Sequence, residues 1–377
     1  MDWRKEFADF GDVAYLNVST QGPVPLVSAR AVQKAIEWKK SPHTIPHEMY
    51  FGLPDRIREL VARLIHAAPE EIAITTGASG GLLAAAQAID WKAGDEILVA
   101  QGEFPAHLAT WMPLADRDAL HVKIVKPAGR FVSADDFIAQ LGPRTRLISV
   151  SLVRFDDASR LDAARLSAAC RRAGVFLLLD VSQCAGAMPL DVRELGADFV
   201  VCAGYKWLLS PYGTGFFWVR GDLIDQLRGG PLYWMAVEGA ANFSSLPLAG
   251  MKPARGARRW DAPETASLFN LAAMEASLEF VLRAGAEKIW KHNAELLVPL
   301  IERLPRDRCV LASPSEAAAR GPYVCLAARS PEKTQVLYEK LSAEKVIVAL
   351  RENAIRVAPH LYNSPRDVDR LISALSV

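Results

Sequence analysis

The spacing of apolar positions changes along this chain, and each change marks an element. Val13–Val18 reads as a short strand, followed by a loop of hydrogen-bonding residues, Ser19-Thr20-Gln21-Gly22-Pro23. Apolar residues then recur at helical spacing over 27–40 and again over 54–67. Between those helices, Ser41–Phe51 reads as irregular. From Glu70 onward the rhythm alternates between strand and helix, as in a mostly parallel sheet covered on both faces. Strands are expected at 72–74, 96–100, 121–126, 146–152, 175–180 and 199–203. Helices are expected from the glycines at 80–81 to about 89, and at 106–115, 134–140 and 161–173. Phe216–Val219 follows so closely on the preceding strand that an antiparallel member is expected there.

Residues 229–260 lose periodicity and read as a long excursion, functional or interfacial in character. Two long helices, 266–284 and 286–304, then lead to an α+β unit. Its strands are expected at 309–312, 323–328, 346–350 and 355–358, and its helices at 332–343 and 365–374. No internal repeat or low-complexity segment is visible.

Charge and composition narrow the function. Lysine plus arginine (44) nearly balances aspartate plus glutamate (43), which leaves no electrostatic footprint for nucleic acid or a membrane surface. The expected partner is a small molecule. Five scattered cysteines form no CxxC pair or His/Cys cluster, so no metal site is expected. They read as small buried residues in a reducing compartment. No apolar run approaches the roughly 18 residues of a membrane span, and Met1–Glu6 precedes no signal-like stretch. A soluble, cytoplasmic protein is expected.

One lysine stands out. Lys206 follows the apolar run Phe199–Ala203 and precedes Trp207-Leu208-Leu209, with Pro211, Gly213 and Gly215 turning the chain just after it. Burial there lowers the amine's pKa, which suits a nucleophilic lysine; the alternative is a lysine that snorkels to the surface. Thr76-Gly77-Ala78-Ser79 lies between a strand and a helix start, where backbone N–H groups favour an anion. It has neither GxGxxG spacing nor a GK[ST] ending, and an ordinary helix cap is its plain reading. Asp180 ends the run Val175–Leu179, where ligands sit in doubly wound sheets, with Gln183 three residues on. A buried carboxylate needs a cationic partner; a protonated pyridine nitrogen supplies one, and helix capping is the alternative. A phosphate-binding helix start, a strand-end aspartate and a strand-end lysine together supply what pyridoxal phosphate (PLP) requires.

With these residues in place, the chain resembles the aminotransferase class V group of PLP enzymes, which includes cysteine desulfurases, kynureninase and isopenicillin N epimerase-like proteins. The matching stretches are ITTGAS (74–79), GEFPAH (102–107), LLLDVSQCAGAMPLDV (177–192), DFVVCAGYKWLLSPYGTG (198–215) and AIRVAPHLYN (354–363). The resemblance implies an α/β protein of PLP fold type I. A mostly parallel, seven-stranded-type sheet would form a large domain over 51–265, linker helices and a smaller α+β domain would occupy 266–377, and 1–50 would join the small domain and the site.

It also implies roles. Gly77, Ala78 and Ser79 match the phosphate loop, and Phe104 the aromatic ring stacked on the pyridine face. Asp180 matches the pyridinium partner, Gln183 the residue near the ring hydroxyl, and Lys206 the lysine that carries the cofactor covalently. Arg356 sits in the motif that holds the substrate α-carboxylate, its forked guanidinium suited to the task. For Phe104 and Arg356 the plain alternatives are a core aromatic and a structural ion pair. His360 and Asn363 shape the turn into the last helix.

Departures from the desulfurase pattern set the branch. Ala203-Gly204-Tyr205-Lys206 stands where desulfurases carry Ser-Gly-His-Lys, so the phosphate loses side-chain donors and gains the Tyr205 hydroxyl. Phe155 replaces the usual asparagine, and Val348–Ala354 holds no cysteine where desulfurases carry the persulfide. The loop Gly256–Ser267 falls where the group reaches a neighbouring subunit's site; it keeps Arg259 and Trp260 but not Gly-Thr-Pro. The expectation is a homodimeric PLP enzyme acting at the Cα or Cβ of an amino acid, epimerase- or lyase-like. An aminotransferase is the alternative, and a non-catalytic ligand sensor is the alternative of another class.

Overall fold

The computed structural model describes residues 2–246, 249–265 and 267–376. A short N-terminal strand, β1 (Ala14–Tyr15), precedes helices α1 (Leu26–Lys40) and α2 (Met49–Ile65). The chain then lays down β2 (Ile72–Thr75), β3 (Glu96–Ala100), β4 (His121–Val125), β5 (Thr145–Ser151), β6 (Phe176–Asp180), β7 (Phe199–Ala203) and β8 (Gly215–Val219). These seven form one sheet in the order β2-β8-β7-β6-β5-β3-β4. Pairs from β4 through β7 are parallel, and β8 is antiparallel to both β7 and β2. Because β8 runs backward between two forward strands, the carboxyl ends of β2, β3, β5, β6 and β7 share one edge.

Side-chain alternation explains the continuous apolar runs. Leu177, Leu179, Val200 and Cys202 face one core, while Leu178, Phe199 and Val201 face another on the opposite side. A sheet buried on both faces has no polar face to show in its sequence. The second core is lined by α3 (Ala78–Ala88) and α4 (Pro105–Asp118). Alanine and glycine let α3 lie close to the sheet: a Cβ on Gly81 would come within 2.6 Å of Val201 Cγ1. The first core is closed by α2 and, further along, by α5 (Ala134–Ile138), α6 (Ala163–Ala173) and, after the short turn α7 (Val192–Leu195), by α8 (Leu268–Ala284).

Helix α9 (Ala286–Glu302) leads to a four-stranded antiparallel sheet of β9 (Cys309–Leu311), β10 (Val324–Ala328) and two strands that follow helix α10 (Glu332–Ala343). Where one strand is expected over 346–350, the chain makes two, β11 (Val346–Ile347) and β12 (Ala349–Arg351). β11 pairs in parallel with β1, and β12 pairs with β13 (Ala354–Val357) in the four-stranded sheet. The buried apolar run serves two partners, a division that periodicity does not reveal. Helix α11 (Pro365–Ser376) completes the third core.

Two helix starts also differ from expectation. Helix α2 begins five residues before Pro54, which lies inside it. Burial of Phe51 and Leu53 extends the helix through the proline, although proline there removes one backbone bond. The helix expected from 266 begins at Leu268, and Ala266 lies outside the described residues. Among the described residues, no helix is long and apolar enough to cross a membrane.

Candidate active site

The shared sheet edge gathers the residues singled out from sequence. β2 ends at Thr75 and enters α3 through Gly77, whose φ of 146° and ψ of −176° belong to a region essentially reserved for glycine. The turn is held by the Thr75 hydroxyl, which donates to the Gly77 carbonyl at 2.9 Å. Gly215 on β8 passes so near that a Cβ on it would lie 2.6 Å from Gly77 Cα and press into the Cys202 carbonyl. The first N–H groups of α3, those of Ala78 and Ser79 among them, have no carbonyl of their own helix to bond.

Asp180, at the end of β6, is 5% exposed. Its Oδ1 accepts the Ser182 N–H at 2.7 Å, and its Oδ2 lies 3.7 Å from His107 Nε2. Burial opposes its charge, but His107, Lys206 and Ser182 outweigh burial and hold the carboxyl below its usual range. His107 is fully buried, with Nδ1 against the Ser149 hydroxyl at 2.8 Å. Burial lowers its pKa, but Glu103 and Asp180 overcome that effect and raise it.

Lys206 is 6% exposed and belongs to no ion pair among the described residues. Desolvation, assisted by the charges of Arg356 and Arg351 and opposed by Asp180, lowers its pKa to about 8. It does not snorkel. Its Nζ lies 5.1 Å from the centre of the Phe104 ring and 5.6 Å from that of Tyr205. Phe104 is half-buried and packs edge-on against Phe155, with ring centres 5.3 Å apart. The Tyr205 ring leans on Tyr212 at 4.3 Å, and burial raises its phenol to about 12.

The N-terminal loop forms another wall. Gly22 N–H donates to the Tyr205 carbonyl at 2.8 Å, and a Cβ on Gly22 would collide with the Lys206 carbonyl. Gln183 Nε2 reaches the Ser19 carbonyl at 3.3 Å while its Oε1 accepts from Trp207 Nε1 at 3.4 Å. Arg356, 2% exposed, donates to the Phe155 carbonyl at 3.0 Å and to the Thr20 hydroxyl at 2.6 Å. Among the described residues it makes no ion pair, so the salt bridge within the small domain that sequence allowed is not seen there. The guanidinium also lies over the Tyr323 ring at 5.8 Å, and a buried guanidinium without a carboxylate partner can receive an anion.

His107, Glu103, Ser149 and Ser151 were not singled out from sequence. Glu103 accepts from the Phe104 N–H at 2.8 Å and from the Ser151 N–H and hydroxyl at 3.0 and 2.7 Å, fixing the loop after β3 to the end of β5. The available signal was the position of GEFPAH between a strand and a helix, which does not say which side chains turn inward. Among the described residues, no group of three His, Cys, Asp or Glu is placed to hold a metal ion.

Comparison with known proteins decides the family. A sequence model described as aminotransferase class-V matches residues 37–371. The chain belongs to the aminotransferase class V family. Within the family it is 26% identical over 384 residues to isopenicillin N epimerase of Streptomyces clavuligerus, covering 96% of this chain and 94% of that protein. It is 28% identical over 341 residues to a probable cysteine desulfurase of Pseudomonas putida, covering 84% and 80%. A solved structure of a C-DES mutant with glycine covalently linked to its PLP cofactor superposes with a TM-score of 0.87 at 23% identity, over 99% of this chain and 98% of that one. The fold is therefore that of the fold type I members, and the large, mostly parallel sheet agrees with it.

Proposed function

We propose that this class V protein is a PLP-dependent enzyme acting at the Cα, or through it the Cβ, of an amino acid, in an epimerase- or lyase-like reaction. The observation that carries the reading is Lys206: a buried amine with no ion pair among the described residues, its Nζ 5.1 Å from the centre of the Phe104 ring, and its pKa lowered by burial to about 8. The donor set fits the cofactor. Gly77, Ala78 and Ser79 offer amides at a helix N-terminus to a phosphate. Asp180, held ionised, would accept a hydrogen bond from a protonated ring nitrogen, and half-buried Phe104 would offer an apolar face to the ring. Gln183 is assigned to the ring hydroxyl and Tyr205 to the phosphate side.

When bound, the cofactor supplies a ring that accepts negative charge from the substrate's Cα. Arg356 binds the α-carboxylate and so orients the Cα–H bond. Lys206, with a pKa near working pH, takes the proton from Cα and returns it. Phe104 and Phe155 exclude water on their side of the pocket. Persulfide relay is disfavoured because β12 and β13 are joined only by Glu352 and Asn353, both in the left-handed region, with no cysteine.

We further assign a homodimer. Trp234 (48% exposed) and Phe243 (40%) pack with ring centres 5.7 Å apart on the excursion at 229–260, where Met251 (60%) is also exposed. The loop Gly256–Ser267 is assigned to the neighbouring site. The five free, buried cysteines support a reducing, cytoplasmic setting. Purified protein supplied with PLP is screened with amino acids for visible spectral change and Cα-deuterium exchange. Exchange without net product supports epimerisation, release of a keto acid and a β-substituent supports lyase action, and conversion of the cofactor to its amine form shows transamination instead. A chain that shows no visible band with PLP, or whose spectrum no amino acid changes, refutes the reading and returns the sensor alternative.

A further inference from the structure

Two guanidinium groups converge on one hydroxyl. Arg356 Nη2 donates to Thr20 Oγ1 at 2.6 Å, and Arg351 Nη2 approaches the same oxygen at 3.5 Å. They come from adjacent strands: Arg351 ends β12 and pairs across the tight turn with Ala354, two residues before Arg356. Arg356 is buried, whereas Arg351 is half-buried. Neither belongs to an ion pair among the described residues. Both reach Thr20 on the loop whose Gly22 packs against the Lys206 and Tyr205 carbonyls, so both converge on the loop that walls the Lys206 site.

Two cations converging on one loop repel unless an anion lies between or upon them. Donor capacity says how much anion. Each guanidinium carries five N–H donors. Arg356 uses one at the Phe155 carbonyl and one at Thr20, and Arg351 one at the Leu350 carbonyl and one at Thr20. A single carboxylate occupies one fork. With an α-carboxylate on Arg356, the Arg351 fork still faces the substrate, on the side more open to solvent.

We propose that the substrate is an amino acid with a second anionic group on its side chain, its α-carboxylate on Arg356 and its side-chain anion on Arg351, an amino diacid of the length of aspartate or glutamate or their sulfur-oxyacid analogues. The proposal rests on the assignment of Arg356 to the substrate carboxylate. Thr20 sets the spacing of the two forks, which gives the N-terminal loop a part in substrate choice. Arg351 is the specificity-determining residue.

The test compares acidic amino acids with their neutral amides in the PLP-loaded protein. Aspartate and glutamate are titrated against asparagine and glutamine by visible spectrum. The expected result is about tenfold or greater preference for the acids, the size of one charge-assisted contact. Arg351→Gln is expected to bring the ratio of acid to amide affinity close to one. Equal affinity for acids and amides in the unaltered protein overturns the proposal. So does an Arg351→Gln variant that weakens acids and amides by the same factor, which places both arginines on one carboxylate. Should no amino acid perturb the spectrum, the reading of the site as a PLP centre fails separately. The two forks are then tested without it by thermal shift: succinate must raise the melting temperature of the unaltered protein more than butyrate does, and an equal effect of the two overturns the proposal.

Discussion

His107 Nε2 lies 3.7 Å from Asp180 Oδ2, and both side chains are sealed from solvent. The separation exceeds a hydrogen bond, so the contact is Coulombic, and Nε2 has no other partner. The Ser149 hydroxyl on the far nitrogen fixes the ring.

Replacing His107 with phenylalanine removes the cation that helps hold Asp180 low. A carboxylate with a depressed folded pKa stabilises the fold above its unfolded value, and that contribution is lost as pH falls through the folded value. Without His107 the folded value rises, so acid unfolding of His107→Phe is expected to begin at higher pH. At the other end, His107 has a raised pKa. Its contribution is complete below about 6.5 and is lost as pH rises through the folded value. The variant should lack that alkaline decline. Melting temperature against pH reads both limbs; parallel curves for the two proteins would mean that His107 is neutral in the fold.

Lys206 gives a prediction of opposite sense. Its folded pKa, about 8, lies below its ordinary value of 10.5, so the folded state binds fewer protons than the unfolded between those values and stability rises with pH there. At pH 7 the charged amine is buried at a cost on the order of 3 kcal/mol. Lys206→Met is therefore expected to melt higher than the unaltered protein when both lack cofactor, and to show no visible band when PLP is added. Attachment of PLP to the unaltered protein should quicken as pH rises and level off above about 8, since the neutral amine is the nucleophile. A pH-independent rate would place the slow step elsewhere.

Gly77→Ala and Gly215→Ala test the turn into α3 from its two sides. The first places a Cβ on a backbone with φ of 146°, at a cost of about 1–3 kcal/mol, with open space around it. The second meets no φ penalty but drives a methyl into the Cys202 carbonyl and Gly77. Both should lower the urea midpoint and weaken inorganic phosphate binding. If Gly215→Ala loses stability but keeps its phosphate affinity, the α3 amides are not the anion site.

The parallel strands and their carboxyl-end residues were legible because a sheet buried on both faces writes each strand as an apolar run bounded by polar turns. Lys206 and Asp180 were visible as charges at the ends of such runs. Arg351 was not, because its meaning depends on Thr20, more than three hundred residues earlier in the chain. His107 was hidden for the same reason: a lone histidine at the start of a helix says nothing of the aspartate across the sheet. Helix α2 shows the converse, since Pro54 signalled a start locally and the burial of Phe51 and Leu53 overrode it. Local chemistry was readable, and pairings set by topology were not.

The edge of the large sheet next to the Gly77 turn is closed by an ion pair. Asp261 Oδ1 accepts the Ile74 N–H at 2.8 Å, and its other oxygen meets the Arg58 guanidinium, while the Ala262 N–H reaches the Ile74 carbonyl at 2.9 Å. Arg58 in turn donates to the Ile72 carbonyl at 3.2 Å. β2 is the outermost strand of its sheet, and these contacts occupy the backbone groups that an open edge would expose. Both charged side chains are almost wholly buried, at 6% and 5%. Asp261→Ala leaves the guanidinium with only the half-exposed Asp55 carboxylate at 2.8 Å and the Ile74 N–H without its acceptor, at an expected cost of about 2–3 kcal/mol. Asp261→Asn keeps an acceptor for Ile74 and should lose less. Removing the charge from both sides with Asp261→Ala and Arg58→Met together should recover part of the loss, because an apolar pair has no desolvation to repay. Denaturant midpoints of the unaltered protein, Asp261→Ala, Arg58→Met and the double variant give the coupling directly, and additive losses would show that the two side chains act independently. Since β2 runs straight into Gly77, the single Asp261→Ala variant should also bind phosphate more weakly than its stability loss alone accounts for.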